Sequence, residues 1–100
     1  MSKNKIVNLN VPCFDLDGKE LANVKNLGKL LANVLVAGSK GDVMKFYDWA
    51  VKLNNGETLD LDRSDYEKLR DFVKENESLT ILAKGQILPL LENDKLQKDE

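Results

Sequence analysis

VMKFYDWAVKL, residues 43–53, is the stretch on which the reading of this chain turns. Eight of its eleven residues are apolar or aromatic, and it holds the single tryptophan. At helical spacing, Phe46, Trp49, Ala50 and Leu53 form one stripe and Met44, Tyr47 and Val51 a second, leaving Lys45, Asp48 and Lys52 as a narrow polar edge. A helix apolar around most of its circumference is either the central helix of its domain or one face of an interface. The first stripe suffices to dock the helix on its own domain. The second then needs a cover: an N-terminal hairpin, the apolar segment 79–91, or another protein molecule.

Upstream, Asn26 is placed to cap a helix whose apolar positions, Leu27, Leu30, Leu31, Val34 and Leu35, follow the i, i+3, i+4, i+7, i+8 pattern in full. Gly38 suits its C′ position, and Gly28 weakens its first turn. A Gly38-Ser39-Lys40-Gly41 linker leads to Asp42, an N-cap for the 43–53 helix, and Asn54-Asn55-Gly56 ends that helix. Nearer the start, Val7, Leu9, Val11 and Cys13 share one parity and Ile6, Asn8, Asn10 and Pro12 the other, so 6–14 reads as a strand with one apolar face. Pro12 suits an edge or a strand end. Asp15-Leu16-Asp17-Gly18 supplies turn chemistry, and 19–24 is expected to return as a short second strand.

Downstream, Asp62 is read as the N-cap of a third helix, with Asp65 at N3 and Leu61 opposite Tyr66 as a hydrophobic staple. Capping by Ser64 would pair it with Glu67 but lose the staple. Tyr66, Leu69, Phe72 and Val73 then face inward, and Glu67, Lys68, Arg70, Asp71, Lys74 and Glu75 face water. In SLTILAKGQILPLLEN, residues 78–93, Leu79, Ile81, Leu82, Ile87, Leu88, Leu90 and Leu91 call for burial, while Pro89 opposes a straight helix. The alternatives are a kinked helix from about Thr80, the reading adopted, or an extended 79–83 followed by a short helix.

One hundred residues make one domain, expected over 1–92 with 93–100 as a frayed tail. The formal charge of −2 hides an asymmetry: residues 1–52 carry a net +3 and residues 53–100 a net −5. Such polarity is compatible with self-association or a charged partner, but a solvated acidic face is the better reading, because charged faces are usually solvated. Overall acidity disfavours nucleic acid as a partner. Cys13, the one cysteine, excludes an intramolecular disulfide. The segment MSKNKIVNLN has no continuous apolar run, and 30–37 is too short to span a bilayer, so a cytoplasmic, membrane-free setting is expected.

Candidate chemistry is sparse. Histidine is absent, which removes imidazole bases, histidine-dependent nucleophile systems and histidine-ligated metals. Asp15, Asp17 and Gly18 resemble part of a calcium loop, but Cys13 and Val24 would fall at the first and last ligand positions, so a turn is the better reading. Asp60, Asp62 and Ser64 fail likewise, because Asp65 stands where glycine is required. The glycine linker before Asp42 lacks phosphate-loop spacing, and Asp42 would repel an anion. Cys13 has no neighbour to stabilise a thiolate and reads as a small buried hydrophobe. The cluster Phe46, Tyr47 and Trp49 reads as core packing before base stacking. No catalytic, cofactor-binding or metal-ligating residue is assigned, and no small-molecule substrate is indicated.

The order of an Asp15-Leu16-Asp17-Gly18-Lys19-Glu20 turn, NLGKLLANVLV at 26–36, a Lys-x-x-x-x-Ala-x-Lys-Leu helix at 45–53, LDLDRSDYEKLRDFV at 59–73, and Gly85-Gln86-Ile87-Leu88 with Leu91-Glu92 resembles short uncharacterised proteins of bacteriophages and prophages. The similarity covers most of 13–92. It lies in turn, cap and core positions, so it implies a genomic context and no particular chemistry.

The expected architecture is α+β: an N-terminal β-hairpin packed on three or four helices, with 43–53 central. The expected role is a non-enzymatic protein-interaction module, self-associating as a homodimer or docking a protein partner through Met44, Tyr47 and Val51, as an assembly or host-modulating factor. The alternative is a nucleic-acid-binding transcriptional regulator using the helices at 42–53 and 62–74, against which the acidity of the second helix counts.

Overall fold

A computed structural model describes residues 5–22, 24, 26–38 and 41–92. Six elements follow in order: β1 (Lys5–Val7), α1 (Leu27–Ala37), α2 (Val43–Asn54), β2 (Leu59–Leu61), α3 (Arg63–Glu75) and α4 (Ile81–Glu92). The expected tail at 93–100 and the linker residues Ser39 and Lys40 lie outside the described residues.

The α+β class holds, with a short antiparallel hairpin near the N-terminus followed by four helices, of which α2 gives Phe46, Trp49, Ala50 and Leu53 to the core. Asp15 builds the hairpin turn. Its Oδ1 accepts from the backbone N–H groups of Asp17 and Lys19, both at 2.9 Å, while its own N–H donates to the Lys19 carbonyl at 2.7 Å. Leu21 N–H donates to the Cys13 carbonyl at 2.9 Å, and Phe14 bridges Glu20. The regular ladder lies elsewhere. β1 pairs antiparallel with β2, in the register Lys5 to Leu61, Ile6 to Asp60 and Val7 to Leu59. The strand expected over 6–14 is therefore divided: its first residues join β2, and the rest runs past the start of α1. The alternation survives the division, for Val7, Leu9 and Cys13 are buried.

Each helix start has a local cause. Asn26 Oδ1 accepts from Lys29 N–H at 2.7 Å, Asp42 Oδ1 from Lys45 N–H at 3.2 Å, and Asp62 Oδ1 from Asp65 N–H at 2.8 Å. Thr80 does the same for α4, its hydroxyl accepting from Ala83 N–H at 3.1 Å. In α1 the first two helical N–H groups, Leu27 and Gly28, donate to the carbonyls of Val11 and Leu9 at 2.8 Å, so the strand satisfies donors that the helix leaves orphaned.

The ends differ from one another. Gly56 sits at φ +78°, and bonds from Glu57 N–H to the Lys52 carbonyl and from Gly56 N–H to the Leu53 carbonyl close α2 in a Schellman motif. Gly38, expected as a C′ residue, instead leaves α1 with extended backbone at φ −82°. Lys84 Nζ reaches from α4 to the Lys74 carbonyl at the end of α3.

α4 is a single helical element that contains Pro89. The carbonyl four residues before Pro89 belongs to Gly85, and both residues are exposed, so the turn that loses its N–H lies on the solvent side of the helix. Ala83, Ile87 and Leu91 are buried on one face. Ile81, expected to be buried, is exposed because it falls off that face in the first turn.

α1 and α2 form an antiparallel pair, the start of α1 lying against the end of α2, where Lys29 Nζ donates to the Asn54 carbonyl at 2.8 Å. The core gathers Leu27, Leu31 and Leu35 of α1, Phe46, Trp49, Ala50 and Leu53 of α2, and the inward faces of β2, α3 and α4. No buried polar or charged residue interrupts it among the described residues.

Candidate functional site

The two stripes of α2 separate cleanly. Phe46, Trp49, Ala50 and Leu53 are buried, and the Phe46 ring lies 5.5 Å from that of Trp49 and 5.1 Å, edge-on, from that of Phe72. Met44, Tyr47 and Val51 retain 74%, 61% and 42% of their accessible surface. Neither the hairpin nor the 79–91 segment covers them.

Charged contacts join α2 to α3. Asp42 caps α2 through Oδ1 and meets Lys68 Nζ of α3 through Oδ2 at 3.3 Å, while Lys45 pairs with Asp65. The Lys45 backbone N–H, with Lys68 assisting, holds the Asp42 carboxyl below its ordinary value. The hydrogen bond to Asp65 holds the Lys45 amine above its own. Both links tie α2 to α3 on the polar side of α2, consistent with the rotation set by burial of Phe46, Trp49, Ala50 and Leu53, which turns the second stripe away from the core.

The exposed face extends beyond the three residues expected. Val43 adds to it on α2, and Val36 adds to it from α1. Val36 was not singled out in the sequence because its contribution depends on how the two helices pack. A groove of about 170 Å³ runs between them, lined by Ala32, Asn33, Val36, Ala50, Val51 and Asn54.

The remaining candidates resolve into structure. Asp15 belongs to the hairpin turn, Asp62 caps α3, and Asp65 is engaged by Lys45. No cluster of three or more metal-capable side chains occurs among the described residues. Cys13 is buried, and burial pushes its thiol up, away from the reactive thiolate. It borders a mostly apolar cleft of about 210 Å³ with Leu21, Leu30, Leu79 and Leu82. Both this cleft and the α1–α2 groove fall short of the roughly 300–1,000 Å³ of small-molecule sites.

On α2 and α3, Lys45, Lys52, Arg63, Lys68 and Arg70 each meet a carboxylate, of Asp65, Asp48, Glu67, Asp42 and Asp71 respectively. No described helix is long and apolar enough to cross a membrane. No family model matches the chain, and neither the curated proteins nor the solved structures yield a match.

Proposed function

We propose that this protein is a non-enzymatic, cytoplasmic protein-interaction module that docks its partner on the outer face of α2, with Met44, Tyr47 and Val51 as the contact residues. One observation carries the reading: these three side chains are solvent-exposed on a helix whose other stripe already satisfies the core. An exposed apolar patch of this kind marks interaction surfaces in soluble proteins. Within the phage context suggested by the sequence resemblance, the module serves as an assembly or host-modulating factor. The carboxylate partners of the basic side chains on α2 and α3 weigh against nucleic-acid binding, which depends on unneutralised Lys and Arg.

The test is selection from a random peptide library on the immobilised chain, counter-selected with Tyr47→Lys. The native protein should enrich a shared apolar motif that Tyr47→Lys does not bind, while circular dichroism shows that variant fully folded. Peptides that bind both proteins equally, or a Tyr47→Lys chain that does not fold, would remove the reading. A gel shift at low and moderate salt with native protein would turn it to the nucleic-acid alternative.

A further inference from the structure

We infer that Asn55 is a site of spontaneous covalent modification, where the backbone nitrogen of Gly56 displaces the side-chain amide, and that the closed end of α2 sets the rate.

The reaction needs no reagent but water. The Gly56 nitrogen gives up its proton and bonds to Asn55 Cγ. The Cγ–Nδ2 bond breaks, and the amide group leaves as ammonia, taking one proton. Water then opens the resulting cyclic imide at either carbonyl, giving aspartate or isoaspartate. A side chain on the following residue would crowd the attacking nitrogen, and glycine has none. Asn55 is the one asparagine followed by glycine; the others precede Lys, Leu, Val, Asn, Glu or Asp.

The structure singles out the same residue. The side-chain amides of Asn8, Asn10, Asn26, Asn54 and Asn76 are each held by a hydrogen bond. Asn33 lies inside α1, where the next N–H is committed to the helix. Asn55 is exposed just past the end of α2, and its side chain makes no hydrogen bond among the described residues.

The backbone is the gate. Gly56 N–H donates to the Leu53 carbonyl at 3.1 Å and Glu57 N–H to the Lys52 carbonyl at 2.9 Å, so the attacking nitrogen keeps its proton. Asn55 has ψ 3°, which sets the Gly56 nitrogen almost in eclipse with the Asn55 nitrogen. Ring closure needs it near Cβ instead. Both conditions are met when the last turn of α2 opens, a local event at a helix end. With two hydrogen bonds to break, the folded chain should react roughly 10–100-fold more slowly than the unfolded one.

The change runs one way. Isoaspartate carries the main chain through Cβ, and the added atom spoils the turn that both bonds close. Aspartate keeps the chain length but sets a carboxylate at the negative end of α2. Either product loosens the junction of α2 with β2, next to the Lys29 contact on the Asn54 carbonyl.

The experiment incubates the full chain at mildly alkaline pH in buffer, in urea below the unfolding transition, and in urea above it. Peptide mass spectrometry follows conversion of amide to acid, and an isoaspartate assay separates the products. Asn55 should convert ahead of every other asparagine, fastest in the unfolded chain. Below the transition its rate should rise with urea in step with hydrogen exchange at the Gly56 amide. The Asn55→Gln chain should not convert at this position, because its ring would be larger and slower to close. The purified isoaspartate form should unfold at lower urea than the native chain. Asn55 left intact in urea below the transition, or another asparagine converting first, would overturn the site. Equal rates in folded and unfolded chains, or a rate that does not follow Gly56 exchange, would overturn the gate. An isoaspartate form with the native midpoint would overturn the effect on α2.

Discussion

The side-chain amide of Gln86 pairs with the backbone of Phe14 as a neighbouring strand residue would. Its Oε1 accepts from Phe14 N–H at 2.9 Å, and its Nε2 donates to the Phe14 carbonyl at 2.6 Å. The partners are separated by 72 positions in sequence. One side chain of α4 thus engages the backbone of the N-terminal hairpin and ties it to the last helix of the fold.

Gln86→Ala should lower stability by about 1 kcal/mol, since both bonds are solvent-exposed and water partly replaces them. Chemical denaturation gives the loss, and amide exchange at Phe14 should accelerate. An unchanged exchange rate would mean that the amide pair does not hold the hairpin in solution.

Asp62→Ala removes the acceptor for Asp65 N–H and should cost about 1 kcal/mol. Its denaturation midpoint should fall while the m-value stays constant. A midpoint equal to that of the native chain would count against the cap.

Two glycines should respond to alanine in opposite senses. At Gly28 a Cβ would stand 3.1 Å from the Leu53 carbonyl oxygen and 3.3 Å from that of Leu9, which the Gly28 N–H itself holds in place. Neither backbone group gives easily, so Gly28→Ala should lose about 1 kcal/mol or more despite alanine's higher helix propensity. At Gly85, inside α4, a Cβ would meet nothing within 4 Å, and Gly85→Ala should gain roughly 0.5–1 kcal/mol. Thermal melts of the two variants settle the signs.

Asp42 should contribute to acid sensitivity. Its carboxyl is held below the ordinary value of 3.8, first by the Lys45 backbone N–H and then by Lys68. The unfolded chain therefore takes up this proton at a higher pH than the folded one. The stabilisation is complete above the ordinary carboxylate value and is lost as pH falls through the lowered one. Asp42→Asn keeps a capping oxygen but does not titrate, so its urea midpoint should fall less steeply than that of the native chain as pH drops below the ordinary carboxylate value of 3.8. Parallel slopes for the two proteins would show that Asp42 does not contribute.

Much of the local structure was legible in sequence because its causes are local. The caps at Asn26, Asp42 and Asp62 depend on a side chain reaching an N–H three residues ahead, and all three are present. The division of α2 into a Phe46, Trp49, Ala50, Leu53 face and a Met44, Tyr47, Val51 face is fixed by the helical period. The parity that buries Val7, Leu9 and Cys13 is fixed by the strand period. Asp15 and Gly18 announced their turn through the conformations and bonds those residue types favour.

Pairing between distant segments was not legible. Residues 59–61 satisfy β1, although no short-range pattern distinguishes them as its partner from the residues after the hairpin turn. Gln86 reads as an ordinary polar helix residue until α4 is laid beside Phe14. Gly28 reads as a weak spot in α1 until Leu9 and Leu53 close on it. The sequence alone determined which residues form helices, caps and apolar faces, because these depend on bonds and periods spanning a few residues. Which faces meet, and that Met44, Tyr47 and Val51 remain uncovered, was decided only by tertiary packing, in which each segment's exposure depends on every other segment's placement.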